Sequence, residues 1–490
     1  MLYVRTLARG LLNGDSAEFQ VITYTLGMGH PTGYPVYVLV GKLFTFLPIG
    51  EIAYRVNFFS AFSAAIAIAL VYLIIRQLGA SYASAIFGAL MLAFNPLFWK
   101  FASMAEVYAP AAACLAFILF CVLKWKAANQ SVWIILAGIA GGLSLGIHSE
   151  IALATAPAIA LYLVLQKKSA VIKPAALGAI VGVGLFLVAF LYIDQRDSPL
   201  SYYNTVVIPS LSAWNMTPAD FDSPLERLAY LYFPPQFKGK FFAVSADVVF
   251  LRLGDFVGAY KLLLTCGALG VVSFFLPNRK PAAWKEAALL FLVLSVSAAF
   301  AVGYDVYDYY VFYYPSFMAL AIFSGVGANW MMESIAVYIK SPRLAAWGFG
   351  LILVAVLTTA FYSDAVTAWR ARIPPALNES DLYSFQFPAV YKFKAEKTVA
   401  FLEDNAIVFT KWSALHSLSY TAVVAHGRRD INFHQIYLQE GKSQIADSVI
   451  DYIEANIDRR PIYFTTYPSA LADRYSITTV AADLFRIEKK

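Results

Sequence analysis

The sequence predicts an α-helical polytopic membrane protein of about ten spans, with a small α/β domain outside the membrane at its C-terminus. Three observations carry this. The 490 residues are 60% hydrophobic and only 14% charged, where soluble domains average about 25% charged. Apolar runs near the roughly 20 residues needed to cross a bilayer recur along the chain. After residue 363 those runs stop, and charges intersperse with short β-like and helix-like stretches.

The elements follow in order. Residues 1–12 hold only short apolar pieces broken by Arg5 and Arg9, and no cleavable signal peptide is expected there. Residues 1–53 are predicted to form a first outer loop. Its run 19–48 is apolar but interrupted by Gly27, Gly29, Pro31, Gly33 and Pro35, a pattern that suits helices lying in the interface. A transmembrane domain is predicted over 54–363, with spans at 54–75, 82–98, 105–123, 132–147, 150–165, 174–193, 256–276, 284–302, 311–332 and 344–363. Residues 132–165 are continuous in hydropathy but too long for one span, and the polar stretch Gly146 to Glu150 divides them.

Lys and Arg in short connections mark the cytoplasmic side. Arg76, Lys124 with Lys126, Lys167 with Lys168 and Lys173, Arg279 with Lys280 and Lys285, and Lys340 with Arg343 fall in every second connection. The loops between them, the long loop 194–255 and the α/β domain 364–490 are therefore expected outside. In that domain 406–412, 417–427 and 460–466 read as strands, and 395–405 and 443–457 as helices.

Function classes narrow in the same way. The net charge of +6 comes mostly from these span-flanking residues, which argues against a nucleic-acid partner. The three cysteines, Cys114, Cys121 and Cys266, lie in apolar runs and form neither a disulfide frame nor a metal site. No phosphate-binding loop accompanies the spans, so nucleotide-driven transport is not expected.

The outer connections carry Asp15, Glu18, His30, Glu106, His148, Glu150, Asp305 and Asp308. Ionisable groups at membrane depth are costly and mark function, although loops depleted of Lys and Arg also leave acids conspicuous. Asp15 and Glu18 are spaced as a capping box, and the same spacing puts both carboxylates on one helical face. His30 and Tyr34 sit in GHPTGYP, between turn signals, where a packed turn and a place near substrate are both open. Glu106 suits a helix N-terminus. His148 and Glu150 interrupt an apolar run. Asp305 and Asp308 lie among tyrosines in YDVYDYYVFYYPS, a composition that fits a saccharide site. FPPQFKGKFF (233–242) reads as an interfacial segment able to meet an anionic lipid head.

GDSAEFQ…YTLGMGHPTGYPVYVLVGKLF…RVNFFSAF…AFNPLFWKFASMAEVYA resembles the start of multi-span GT-C glycosyltransferases related to protein O-mannosyltransferases. The later YDVYDYYVFYYPSFMALAIFSGVG and VFTKW…LSY…GRRDI are similar to that family as well. The resemblance implies an inverting transfer of a sugar, mannose, from a polyprenyl phosphate to an acceptor hydroxyl on the extracytoplasmic side. Asp15 matches the essential acid of the first outer loop and is expected to be the general base, with Glu18 or His30 orienting the acceptor. Such enzymes begin with a full span before that loop. The first span is therefore expected to be missing or truncated here, with residues 1–12 as its remnant.

The departing lipid phosphate needs a fixed cation, for which Lys240, Arg252 and Lys261 are the candidates. No cofactor is required, and Asp305 with Asp308 leaves a divalent metal open. The implied partners are membrane lipids, a polyprenyl-phosphate sugar, and a protein, glycan or lipid acceptor. A lipid-linked sugar flippase or a non-catalytic lipid-sugar-binding protein is the alternative. A flippase should show internal repeats with helices broken near the midplane, and none is visible.

Overall fold

The computed structural model describes all residues except 168, 276–282, 340 and 437–444. Lys168, Arg279, Lys280, Lys340 and the start of the expected helix 443–457 lie outside the described residues.

A single turn at Leu2–Arg5 opens the chain, followed by helices α1 (Gly14–Thr25) and α2 (Pro35–Phe44). The bundle comprises α3 (Ile52–Gln77), α4 (Tyr82–Ala93), α5 (Pro96–Ala102), α6 (Tyr108–Ala128), α7 (Ser131–Leu165) and α8 (Ile172–Asp194). After the loop helix α9 (Pro224–Tyr232) it continues with α10 (Ala246–Ala259), α11 (Lys261–Ser273), α12 (Ala283–Gly303), α13 (Tyr314–Ile339) and α14 (Pro342–Ala371). Among the described residues, seven helices are long and apolar enough to cross a membrane, and nine if two bent pairs each count as one span.

The bends are where the expected spans differ. Segment 82–98 is broken by 69° between α4 and α5. There the Asn95 side chain accepts from Phe98 N at 3.0 Å, and Pro96 starts the new helix at its first position. Segment 256–276 is replaced by α10 and α11 at 90° to each other.

α7 is not one 35-residue rod. His148 leaves helical geometry at φ −163°, ψ 101°. A Cβ on Gly138 would touch Ala175 and Ala179, one on Gly142 would touch Gly182 and Val183, and one on Gly146 would touch Phe186. Both numberings rise together, so the first limb of α7 runs parallel to α8. The second limb must therefore return. Tyr162 and Lys126 both reach Glu286 Oε1, at 3.1 and 2.8 Å, and Lys285 donates to Leu165 O at 2.7 Å. Both ends of α7 thus share one end of the bundle, and His148 turns at the other. The split expected at 146–150 is present, but the returning limb has only the short apolar helix Thr155–Leu165.

The C-terminal part carries α15 (Glu379–Gln386), α16 (Val390–Val399), α17 (Trp412–Ser419) and α18 (Asp447–Asn456). With them is a sheet of β1 (Ile407–Thr410), β2 (Asn432–Gln435), β3 (Ile462–Phe464), β4 (Tyr475–Ala481) and β5 (Leu484–Lys489), in the order β2-β1-β3-β5-β4. β1 is parallel to both neighbours, while β5 is antiparallel to β3 and β4. Alternation along β1 sorts two cores. Ile407 and Phe409 pack with Val449 and Ile453 of α18. Val408 joins a core that contains Leu415 and Leu418 of α17 and Ala17 and Val21 of α1. Residues 417–427, expected as a strand, are helical instead. Their apolar groups fill the gap between sheet and first loop, which overrides the β propensity of YTAVV.

Candidate active site

α1 presents Asp15 and Glu18 one turn apart, yet they form no capping box. The N-cap is Asn13, and it makes no side-chain cap hydrogen bond. Each carboxylate has instead been drawn into a tertiary contact. Asp15 Oδ1 accepts from the indole Nε1 of Trp412, the first residue of α17, at 2.9 Å. Glu18, fully buried, accepts from His30 N at 2.8 Å and forms a close ion pair with His30 Nδ1. The other ring nitrogen of His30 lies 3.1 Å from Tyr34 Oη, whose hydroxyl donates to Pro31 O at 3.1 Å. The two turn residues singled out from GHPTGYP are therefore one chain of hydrogen bonds anchored on Glu18.

Burial holds the Glu18 carboxyl above its ordinary range, opposed by the attraction of His30. Burial also pulls His30 down, but Glu18 and then Asp15 outweigh it and lift the imidazole to about 9. His30 is thus charged at neutral pH.

The other acids close in from the bundle. Glu106 is buried ahead of α6 without capping it. Its carboxylate accepts from Ser16 Oγ at 2.8 Å, and Ser60 Oγ bridges its backbone N and O at 3.2 Å each. Burial, reinforced by Asp15, keeps its carboxyl well above the usual range. Asp308 is raised by burial and by Asp15, with His30 and Lys100 opposing. His148, at the turn of α7, has ring contacts with Tyr34, Tyr108 and Phe312 at 6.4, 5.6 and 6.1 Å, and its Nδ1 is 3.7 Å from Glu150. One cluster thus gathers Asp15, Glu18, His30, Tyr34, Glu106, His148, Glu150 and Asp308. Asp305 is apart, exposed, with its N–H donating to Lys240 O at 2.9 Å.

The cations sort differently from expectation. Arg252 is buried and spends its guanidinium on the carbonyls of Ala301, Val302 and Tyr304 at the end of α12, stacked 4.0 Å from Tyr309. Lys240 lies against Phe237, and Lys261 is exposed at the start of α11. The cation whose field reaches Glu106 and Asp308 is Lys100 of α5, almost wholly buried and paired with Asp381 of α15 at 2.8 Å. Lys100 and Trp412 stand in the runs FWKFA and VFTKW that carried the family resemblance. Asp381 gave no signal. Among the described residues, no three His, Cys, Asp or Glu side chains are grouped to hold a metal ion.

The fold has solved counterparts. ArnT from Cupriavidus metallidurans, bound to undecaprenyl phosphate, superposes with a TM-score of 0.60 at 14% identity, over 99% of this chain and 95% of that one. The archaeal oligosaccharyltransferase AglB from Archaeoglobus fulgidus, in complex with an inhibitory peptide and a dolichol-phosphate, gives 0.53 at 14% identity, over 93% and 66%. The chain has the GT-C fold. Residues 15–172 match the family described as the protein O-mannosyl-transferase TMEM260 N-terminal domain. Protein O-mannosyl-transferase TMEM260 of Mus musculus is 36% identical over 108 residues, which is 22% of this chain and 15% of that protein. The Dictyostelium discoideum protein is 26% identical over 123 residues, 24% of this chain and 15% of that one. The chain thus spans about 15% of the length of the curated relatives it matches. The family match ends at residue 172, well short of α17.

Proposed function

We propose that this protein is an inverting glycosyltransferase that moves mannose from a polyprenyl phosphate to a protein hydroxyl at the extracytoplasmic face. The sugar and acceptor class are suggested by the names of the relatives, and the carrier by the lipid phosphates of ArnT and AglB. The observation that carries the reading is the half-buried Asp15 carboxylate, held by an indole N–H beside the buried acids Glu18 and Glu106 in a GT-C fold.

The acceptor oxygen attacks the anomeric carbon from the face opposite the phosphate and gives its proton to Asp15. The bond from that carbon to the phosphate oxygen breaks, and the lipid monophosphate leaves with the electron pair. Lys100 is the buried cation placed to oppose that charge. The Glu18–His30 pair keeps α1 and the following turn rigid around the acceptor. No step in this scheme draws on a metal.

Asp15→Asn removes the base while keeping size and polarity. In detergent-solubilised full chain, with a short-chain polyprenyl-phosphate mannose and a Ser/Thr-rich peptide, transfer is expected to fall by about 100- to 10,000-fold. Transfer at the wild-type rate would exclude Asp15 as the base.

A further inference from the structure

The Asp15 carboxylate reaches across the fold to a residue 397 positions away, in a domain beyond the residues 15–172 that match the family. Nothing in α1 itself orients that carboxylate, since the helix lacks a side-chain cap and Asp15 sits in its first turn. Trp412 does. Its indole is held on three edges, with ring contacts to His416 at 4.7 Å, His30 at 6.0 Å and Tyr202 at 6.0 Å, all close to perpendicular. Those neighbours come from α17 itself, from the turn after α1, and from the long outer loop. The backbone beneath is equally fixed, because Leu415 and Leu418 share a core with Ala17 and Val21. His416 is buried with neither ring nitrogen hydrogen bonded, so its imidazole serves as a packing wall for the indole.

From this geometry we infer that Trp412 is the positioning residue of the reaction: its Nε1–H fixes the Asp15 carboxylate toward the acceptor, so the C-terminal α/β domain completes the active site. The inference rests on the proposed role of Asp15. A neutral N–H donating to one carboxylate oxygen leaves the second oxygen free to take the acceptor proton, and it favours one rotamer of the side chain. Loss of orientation of this kind lowers the rate of the chemical step while leaving substrate affinity untouched.

The experiment compares Trp412→Phe, Trp412→His and Asp15→Asn in the full-length chain, using the same polyprenyl-phosphate mannose and peptide. Thermal unfolding and elution profile establish that each variant is folded. Phe keeps an aromatic ring between His30, His416 and Tyr202 but has no N–H, and kcat is expected to drop about 10- to 100-fold with KM for the donor unchanged. His restores a ring N–H and is expected to recover part of that loss.

A Phe variant with wild-type kcat would overturn the inference, and so would one whose KM rises at constant kcat, because Trp412 would then touch substrate. If the Phe protein is misfolded, Trp412→Met takes its place and is judged by the same split. Asp15→Asn separates the two claims. If it stays active, the general-base role of Asp15 falls and Trp412 has no base to position. If it is inactive while Trp412→Phe is unimpaired, only the positioning role falls.

Discussion

At the residue scale, the first-loop pair shows how tertiary contacts outbid a local pattern. Asp15 and Glu18 have the spacing of a capping box, but Trp412 claims one carboxylate and His30 the other. The His30 pair has a pH signature. Its folded value of about 9 lies above the ordinary 6.5, raised chiefly by Glu18 and Asp15 against the burial that would lower it. Its contribution to stability is therefore complete below pH 6.5 and lost as pH rises through about 9. Thermal unfolding followed between those values should show the melting temperature of the wild-type chain declining, and His30→Gln should flatten that decline. Glu106 on one side and His148 and the neutral, buried His416 on the others face the same imidazole, so single changes there should leave most of the slope in place.

At the element scale, the contact between the first limb of α7 and α8 is a seam of glycines. A Cβ on Gly182 would meet Ile139 O at 2.3 Å, backbone that cannot rotate away. Gly182→Val should force the helices apart at a cost on the order of 1–3 kcal/mol. A lower melting temperature in detergent would register it, and an unchanged one would mean the helices are not in contact there. This seam also holds His148 at the rim, because the hairpin turns immediately beyond Gly146.

Seven of the ten expected spans were legible, since hydropathy and basic flanks are local properties of the chain. So were the acids of the rim, each in a connection between apolar runs. The bends at Asn95-Pro96 and Tyr260 were not anticipated, because a run's composition does not state its direction. The stretch 417–427 was read as a strand because YTAVV has β-branched and aromatic character, and only packing against α1 reverses that. Trp412 closed the neighbouring expected strand 406–412, whereas it starts α17. A contact between residues 15 and 412 leaves no trace in the spacing of either.

At the scale of the whole molecule, charge and fold polarise the bundle. Glu106 precedes α6 and Lys126 lies near its end, separated by roughly 30 Å of helix rise. The acids gather at one end, while Lys126, Lys285 and Glu286 tie the helices at the other. With the acidic end placed outside, Tyr307→Cys should react with a membrane-impermeant maleimide in intact cells, and Ala128→Cys only after permeabilisation. The reverse pattern would invert the orientation. The native cysteines lie within apolar helices and set the background.

The 397-residue reach from Asp15 to Trp412 also has a consequence in time. Asp15 leaves the ribosome well before Trp412, whose indole follows only after helices α3 to α14 have been made. A nascent chain therefore carries Asp15 through the making of the bundle without the indole that holds its carboxylate. On the proposed mechanism, competence arrives only once α17 has folded, so a chain cut before Trp412 is expected to be inactive.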